Sequence, residues 1–317
     1  MKNTEVAKHT REQLHDLQAL PLDLKIRLTK KRLREWLDSY ESYVSFSGGK
    51  DSTVLLHIAR EVQPDIKGVF IDTGLEYPEI REFVKTFNNI VWLKPDMNFK
   101  QVILKYGYPL ISKDVATKIE LARKYPDRKV NQLFEENNDH DNKYGARFSI
   151  TRYKDLKNSD IPISAQCCTI MKKRPAKKFE KQTGLYPIVG SMACESTMRT
   201  TSWLRQGCNV FDSMRPVSRP LSFWTEQDIL LYIKKNNLSY CSVYGDILEE
   251  NGKLYMSKCQ RTGCIFCAFG AHCEKNPNRF QRLKETHPIL YDYCMRPIEK
   301  GGLGMKEILQ KINIKTE

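Results

Sequence analysis

The chain of 317 residues contains no apolar run approaching the ~18 residues that span a bilayer, so no membrane-crossing helix is expected. Its first residues, Met1-Lys2-Asn3-Thr4-Glu5, have neither an apolar core nor a cleavage pattern. No secretory leader is read there, and a cytoplasmic location is expected. No segment repeats. Acidic side chains are in deficit, 38 against 52 lysines and arginines, which leaves a formal charge of +14. So large an excess predicts an anionic partner, and nucleic acid is the natural candidate.

What is present in quantity is cysteine, ten in all. Without a secretory leader a disulfide framework is not the expected use of so many thiols. Metal or redox chemistry is.

One stretch, Val44-Ser45-Phe46-Ser47-Gly48-Gly49-Lys50-Asp51-Ser52-Thr53, reads as a strand running into a phosphate-binding turn and then a helix. Two glycines allow a tight turn whose N–H groups converge on one anion, and the helix N-terminus adds its dipole. Ser47 and Ser52 supply hydroxyls, Lys50 a charge for phosphate oxygens, and Asp51 a ligand for Mg²⁺. The spacing is not that of the common P-loop NTPases. Ser-x-Gly-Gly-x-Asp-Ser after a strand resembles instead the PP-loop of the N-type ATP pyrophosphatases, which cleave ATP between its α and β phosphates.

Around that loop strands and helices alternate: strand 43–46, helix 50–62, then strands at 68–72, 89–93 and 186–190. This predicts an α/β fold with a doubly wound parallel sheet. Ligands in such folds sit beyond the carboxyl ends of strands, where Ser47-Gly48-Gly49 and Asp72-Thr73-Gly74 both fall. Residues 1–40 read as a helical arm broken at Pro21, 41–220 as the nucleotide-binding domain and 221–317 as a smaller helical, cysteine-rich segment. The polar stretch 123–160 is expected to be a mobile insertion, and Thr225 with Asp228 to start a helix.

Cys264-Ile265-Phe266-Cys267 puts two thiols on one turn, flanked by Cys259 and Cys273, and the pair Cys167-Cys168 lies far upstream. Iron–sulfur, a Cys₄ zinc site and a catalytic dithiol are all compatible with such spacing.

Several ordered motifs then point to one family. Phe70-Ile71-Asp72-Thr73-Gly74, Cys167-Cys168-Thr169-Ile170-Met171-Lys172-Lys173, Ile188-Val189-Gly190 with Glu195-Ser196 and Arg199, Arg219-Pro220-Leu221 with Trp224-Thr225, and Gly263-Cys264 with Cys267 follow one another as in phosphoadenosine-phosphosulfate (PAPS) reductase-like proteins. The resemblance covers Tyr43 to Cys267, about seven-tenths of the chain. It implies that Cys167, Cys168, Cys264 and Cys267 hold a [4Fe–4S] cluster, with Cys208, Cys259 and Cys273 competing for the fourth place. It also implies that Gly190, Asp72, Thr73 and Gly74 line a nucleotide site in which Lys50, Asp51 and Arg199 act catalytically.

Two departures from the reductases redirect the expectation. Their Cys-Gly tail has no counterpart near Gly301–Ile312, where a helix without cysteine is read, and the last thiol, Cys294, sits in an unrelated context. Reductases also tend to carry altered PP-loops, whereas this loop is intact and suits ATP with Mg²⁺. The combination looks like the sulfur-inserting enzymes of DNA phosphorothioation and tRNA thiolation, which implies a nucleic-acid acceptor and a cysteine desulfurase or other sulfur donor. The competing expectations are a sulfonucleotide reductase using Cys294 and a non-catalytic binding module with structural zinc.

Overall fold

The structure, a computed structural model, describes residues 7–136 and 149–317. Part of the stretch 123–160 therefore lies outside the described residues. The chain forms two compact units, each drawn from separate stretches: Met1–Asp72, Glu76–Lys94 and Pro175–Thr262 make the first, and Thr73–Leu75, Pro95–Arg174 and Gly263–Glu317 the second.

The first unit is built on a six-stranded sheet. Its strands are β1 (Ser42–Ser45), β2 (Lys67–Ile71), β3 (Ile90–Leu93), β5 (Tyr186–Val189), β6 (Asn209–Val210) and β7 (Val217–Ser218). They lie in the order β3-β2-β1-β5-β7-β6, every neighbouring pair parallel except β6 with β7. The fold is α/β with a mostly parallel sheet, as the alternation of elements predicts. From β1 the chain moves outward through β2 to β3, and β5 then pairs on the other side of β1. The switch point of the sheet thus lies between β1 and β5, where open α/β sheets bind ligands.

Helices Leu22–Leu37, Lys50–Val62 and Glu226–Lys235 pack together in this unit. Their apolar stripes and the inner face of the strands bury Leu33, Trp36, Phe46, Leu55, Ile58, Phe70, Trp224 and Tyr232. Each such side chain contributes about 1.5–3 kcal/mol by leaving water. Thr225 caps the helix Glu226–Lys235 in a capping box with Asp228, as its sequence predicts. Asp228 is also the partner of the buried Lys25, at 2.7 Å. A hairpin of β8 (Ile247–Glu250) and β9 (Lys253–Met256) turns through Asn251 and Gly252, both at positive φ.

In the second unit β4 (Leu110–Ile111) pairs in parallel with β10 (Ala268–Phe269). Helices Phe99–Tyr106, Lys113–Lys124, Arg279–Thr286, Pro288–Met295 and Met305–Lys311 belong to this unit, and Phe266 sits between the rings of Phe99 and Tyr293. The C-terminal helix is shorter than the 301–312 stretch read from sequence, because Gly301 and Gly304 take left-handed conformations ahead of it. The described part of 123–160 is anchored: Phe134 is buried, and the Arg123 guanidinium donates to the carbonyls of Leu156, Lys157, Ser159 and Ile161. No helix among the described residues is long and apolar enough to cross a membrane.

Candidate nucleotide site

β1 delivers Ser47-Gly48-Gly49 to the switch point, and the helix from Lys50 carries the rest of the loop away. Gly48 has φ +70°, and a Cβ there would stand 2.7 Å from Val84 Cγ2 and 2.9 Å from Ile80 Cγ2. Only glycine meets both demands. The loop is laced internally. The Ser47 N–H donates to Ser52 Oγ at 3.2 Å, the Gly49 N–H donates to Ser47 Oγ at 3.3 Å, and the hydroxyls of Ser52 and Thr53 donate to the Gly49 carbonyl.

A cavity of about 280 Å³ opens over this loop. Its walls include Ser47, Gly49, Lys50, Asp51 and Ser52 from the loop, Gly190 and Ser191 beyond β5, and Arg199 and Arg261. Five loop residues and Gly190 and Arg199, all named from sequence, therefore meet in one place. Gly190 brings the β5 end close to the loop helix; a Cβ there would lie 3.4 Å from the Asp51 carbonyl oxygen.

The electrostatics are balanced and tight. Lys50 is 3% exposed, and its ammonium reaches the Gln260 carbonyl at 2.9 Å, Glu226 Oε1 at 3.1 Å and Asp51 Oδ1 at 3.7 Å. Asp51 Oδ1 is buried with no hydrogen-bond partner among the described residues. Burial pushes the Asp51 carboxyl above its ordinary pKa, Lys50 pulls it back, and Glu226 pushes the same way as burial. Arg199 pairs with Glu195, whose carboxylate also accepts the Met192 N–H at 2.7 Å. Burial lowers the Arg199 pKa and the neighbouring Arg261 lowers it further. Two guanidiniums near one another in a half-closed cavity are the arrangement that an oligophosphate relieves.

Asp72 follows β2, is buried, and receives the Arg81 guanidinium at 2.8 Å. Thr73 and Gly74 belong to the second unit, where Thr73 Oγ1 accepts the Leu75 N–H. The His57 ring is satisfied by the Tyr232 hydroxyl at 2.8 Å, a structural role.

Cys167, Cys168, Cys264 and Cys267 all lie in the second unit. Burial raises the Cys167 thiol pKa well above the ordinary range, and the charges of Cys264, Cys168 and Cys267 raise it further. Cys267 is pushed up to about 11 by burial and then by Cys264. Cys167 and Cys267 thus each feel the charges of Cys168 and Cys264. Among the described residues, no group of three or more His, Cys, Asp or Glu side chains is placed to hold a metal ion as it stands. Cys273 is exposed, 3.2 Å from His272 Nε2. In the first unit Cys208 is buried and accepts the Ser222 hydroxyl, and the Cys259 thiol contacts the Arg261 carbonyl at 3.0 Å.

Residues 41–110 and 91–269 match the phosphoadenosine phosphosulfate reductase domain. The chain belongs to this family. An uncharacterized protein of Methanocaldococcus jannaschii is 26% identical over 282 residues, which are 86% of this chain and 51% of that protein. A second uncharacterized protein of the same organism is 36% identical over 280 residues, 86% of this chain and 42% of that protein. The chain spans about half the length of the curated relatives it matches or less. A solved phosphoadenylyl-sulfate (PAPS) reductase from Candida auris, in a phosphate complex, aligns over 77% of this chain and 97% of its own at 16% identity, with a TM-score of 0.39.

In this member of the PAPS reductase domain family, some site residues escape sequence reasoning. The Tyr244 hydroxyl accepts the Lys50 N–H at 3.2 Å and bonds Thr262 Oγ1 at 2.8 Å, so it fastens the loop from outside. No pattern around Tyr244 announces it. Arg261 and Thr262 directly precede the Gly263-Cys264 motif, and that adjacency was the only available signal. Glu226 hides in the capped first turn of its helix, where an acidic residue needs no functional explanation.

Proposed function

We propose that this PAPS reductase family member is an ATP-dependent sulfur-transfer enzyme that acts on nucleic acid and forms AMP and pyrophosphate. The observation that carries the proposal is the intact Ser-Gly-Gly-Lys-Asp-Ser loop in a cavity at the sheet's switch point, faced by Lys50, Arg199 and Arg261. The loop N–H groups, Ser47 and Ser52 would receive the β and γ phosphates, and Asp51 is the residue suited to hold Mg²⁺ against them. An acceptor oxygen attacks the α-phosphorus, the bond to the β-phosphate oxygen breaks, and pyrophosphate departs. Lys50 and Arg199 stabilise the charge gathering on it. The sulfur of a persulfide from a cysteine desulfurase, or sulfide from another donor, then displaces the adenylated oxygen, and AMP leaves with that oxygen. Where a persulfide attacks, a second thiol reduces the resulting S–S bond and releases the carrier thiol.

Cys167, Cys168, Cys264 and Cys267 are the residues that would hold a [4Fe–4S] cluster, which when bound supplies sulfur or redox chemistry. A reductase reading that uses Cys294 as nucleophile is disfavoured, because Cys294 is fully buried and its thiol pKa is pushed well up by burial. The test is product analysis. Purified protein given ATP, Mg²⁺, a sulfur donor and nucleic acid should release AMP and pyrophosphate and leave sulfur on the polymer. Sulfite released from a sulfonucleotide, with no ATP turnover, would replace this reading with the reductase.

A further inference from the structure

A second cavity in the first unit, of about 460 Å³, has no part in the scheme above. His9, Asp16, Arg32, Glu35, Trp203 and Asn209 are among its walls, and Arg32 pairs with Glu35 at 3.0 Å. Its size is that of a small-molecule site. The cavity also shares walls with its neighbours. Ser191 and Arg199 line both the nucleotide cavity and a narrow crevice, and Trp203 and Gly207 line both that crevice and the second cavity.

The chemistry of the walls is specific. The His9 ring lies 4.8 Å from the Trp203 ring at an interplanar angle of 32°, and its backbone N–H is fixed on the Leu204 carbonyl at 2.9 Å. Trp203 is 4% exposed, yet its Nε1–H has no acceptor among the described residues. A buried donor left in that state is costly, and a ligand that brings an acceptor removes the cost. Burial, and then the charges of Arg32 and Lys8, lower the pKa of His9, which disfavours a charged ring beside the cavity. The helix Leu22–Leu37 carries Arg27, Lys30, Lys31, Arg32 and Arg34, a run of cations suited to a phosphate backbone in which Lys30 pairs with Glu61 and Arg32 with Glu35.

We propose that this cavity receives one unpaired base of the acceptor nucleic acid, with the backbone tracking the basic helix. This rests on the nucleic-acid reading given above. A base offers a flat face to the His9–Trp203 pair and in-plane acceptors to the Trp203 N–H, and single-strand sites are commonly made from aromatic platforms with flanking cations. The crevice along Ser191, Arg199 and Trp203 would then connect the acceptor to the phosphate cavity.

The test is binding of the full chain, without ATP, to a labelled single-stranded oligonucleotide and to a fully abasic strand of equal length. The intact strand is expected to bind roughly tenfold or more tightly, as base–aromatic stacking elsewhere implies. Trp203→Phe, which keeps the ring and loses the donor, and His9→Ala, at a partly exposed position, should each shrink that ratio while abasic binding persists. Equal binding of the two strands, or a ratio untouched by both variants, overturns the base site and leaves the nucleic-acid reading standing. Binding of neither strand overturns both.

Discussion

Lys50 Nζ lies 3.1 Å from Glu226 Oε1, a contact made between the first residue of the loop helix and the first turn of a helix 176 positions on. In this arrangement the ammonium is held by protein, so an incoming phosphate must compete for it. Lys50→Ala is expected to lower pyrophosphate release from ATP by about 10²–10³-fold, the usual loss for one stabilising donor. Glu226→Gln, which removes one competing negative charge while keeping the shape, should tighten ATP binding. A Lys50→Ala enzyme of normal turnover would remove Lys50 from the mechanism.

The Asp51 carboxyl gives a pH signature. Its folded-state pKa is raised above the ordinary value of 3.8, chiefly by burial. The protonated form is therefore favoured on folding, so the contribution to stability is full below pH 3.8 and is lost as pH rises through the folded pKa. Asp51→Asn should consequently be more stable than the parent at neutral pH, an advantage that fades in acid, while losing Mg²⁺-dependent ATP turnover. Melting curves of both proteins across pH read this directly. A destabilised Asp51→Asn at neutral pH would mean that the Lys50 attraction outweighs burial.

Much of this was legible in sequence because local signals agreed with the fold. Ser-Gly-Gly-Lys-Asp-Ser, the helix starting at Lys50 and the capping box at Thr225 all require only neighbours along the chain. The hairpin at Asn251-Gly252 carries an equally local signal, since that dipeptide supports two successive positive φ values. Tyr244 and Glu226 were not legible, because their roles arise from contacts with Lys50 that only the assembled sheet creates. The short strands β4 and β10, two residues each, are below the length at which alternation can be read.

Gly48 and Gly190 make a paired prediction about backbone. Gly48→Ala puts a Cβ at positive φ and against Val84 and Ile80, so it should cost at least about 1–2 kcal/mol and distort the phosphate loop. Gly190→Ala meets only ordinary contacts near 3.4 Å and should cost far less. Chemical denaturation with ATP-binding measurements distinguishes them. Similar behaviour of the two variants would contradict the steric argument.

The buried pair Lys25 and Asp228 tests the packing of the helical layer. Lys25 also donates to the Gln18 carbonyl, and Asp228 accepts from the Thr225 N–H and hydroxyl. Lys25→Met leaves a carboxylate buried without its cation, expected to cost about 3–5 kcal/mol in urea unfolding. The double variant Lys25→Met with Asp228→Asn should recover part of that loss, because the uncompensated charge is gone. A recovery of zero would assign the whole effect to packing.

Metal analysis decides the role of the cysteines. Protein purified without oxygen is expected to carry about four irons per chain and a broad visible absorption, both lost in Cys264→Ala. Cys273→Ala, at an exposed position beside His272, should retain them if Cys167, Cys168, Cys264 and Cys267 are the complete ligand set. One zinc with no iron would leave the ATP chemistry proposed for the first unit untouched and remove cluster chemistry from the proposal. The two outcomes separate cleanly because Lys50, Arg199 and Arg261 lie in the first unit and all four nominated cysteines in the second. ATP cleavage can therefore be assayed in Cys264→Ala even if sulfur transfer is lost. Retained AMP formation with no sulfur on the polymer would place the cysteines after adenylation in the reaction order.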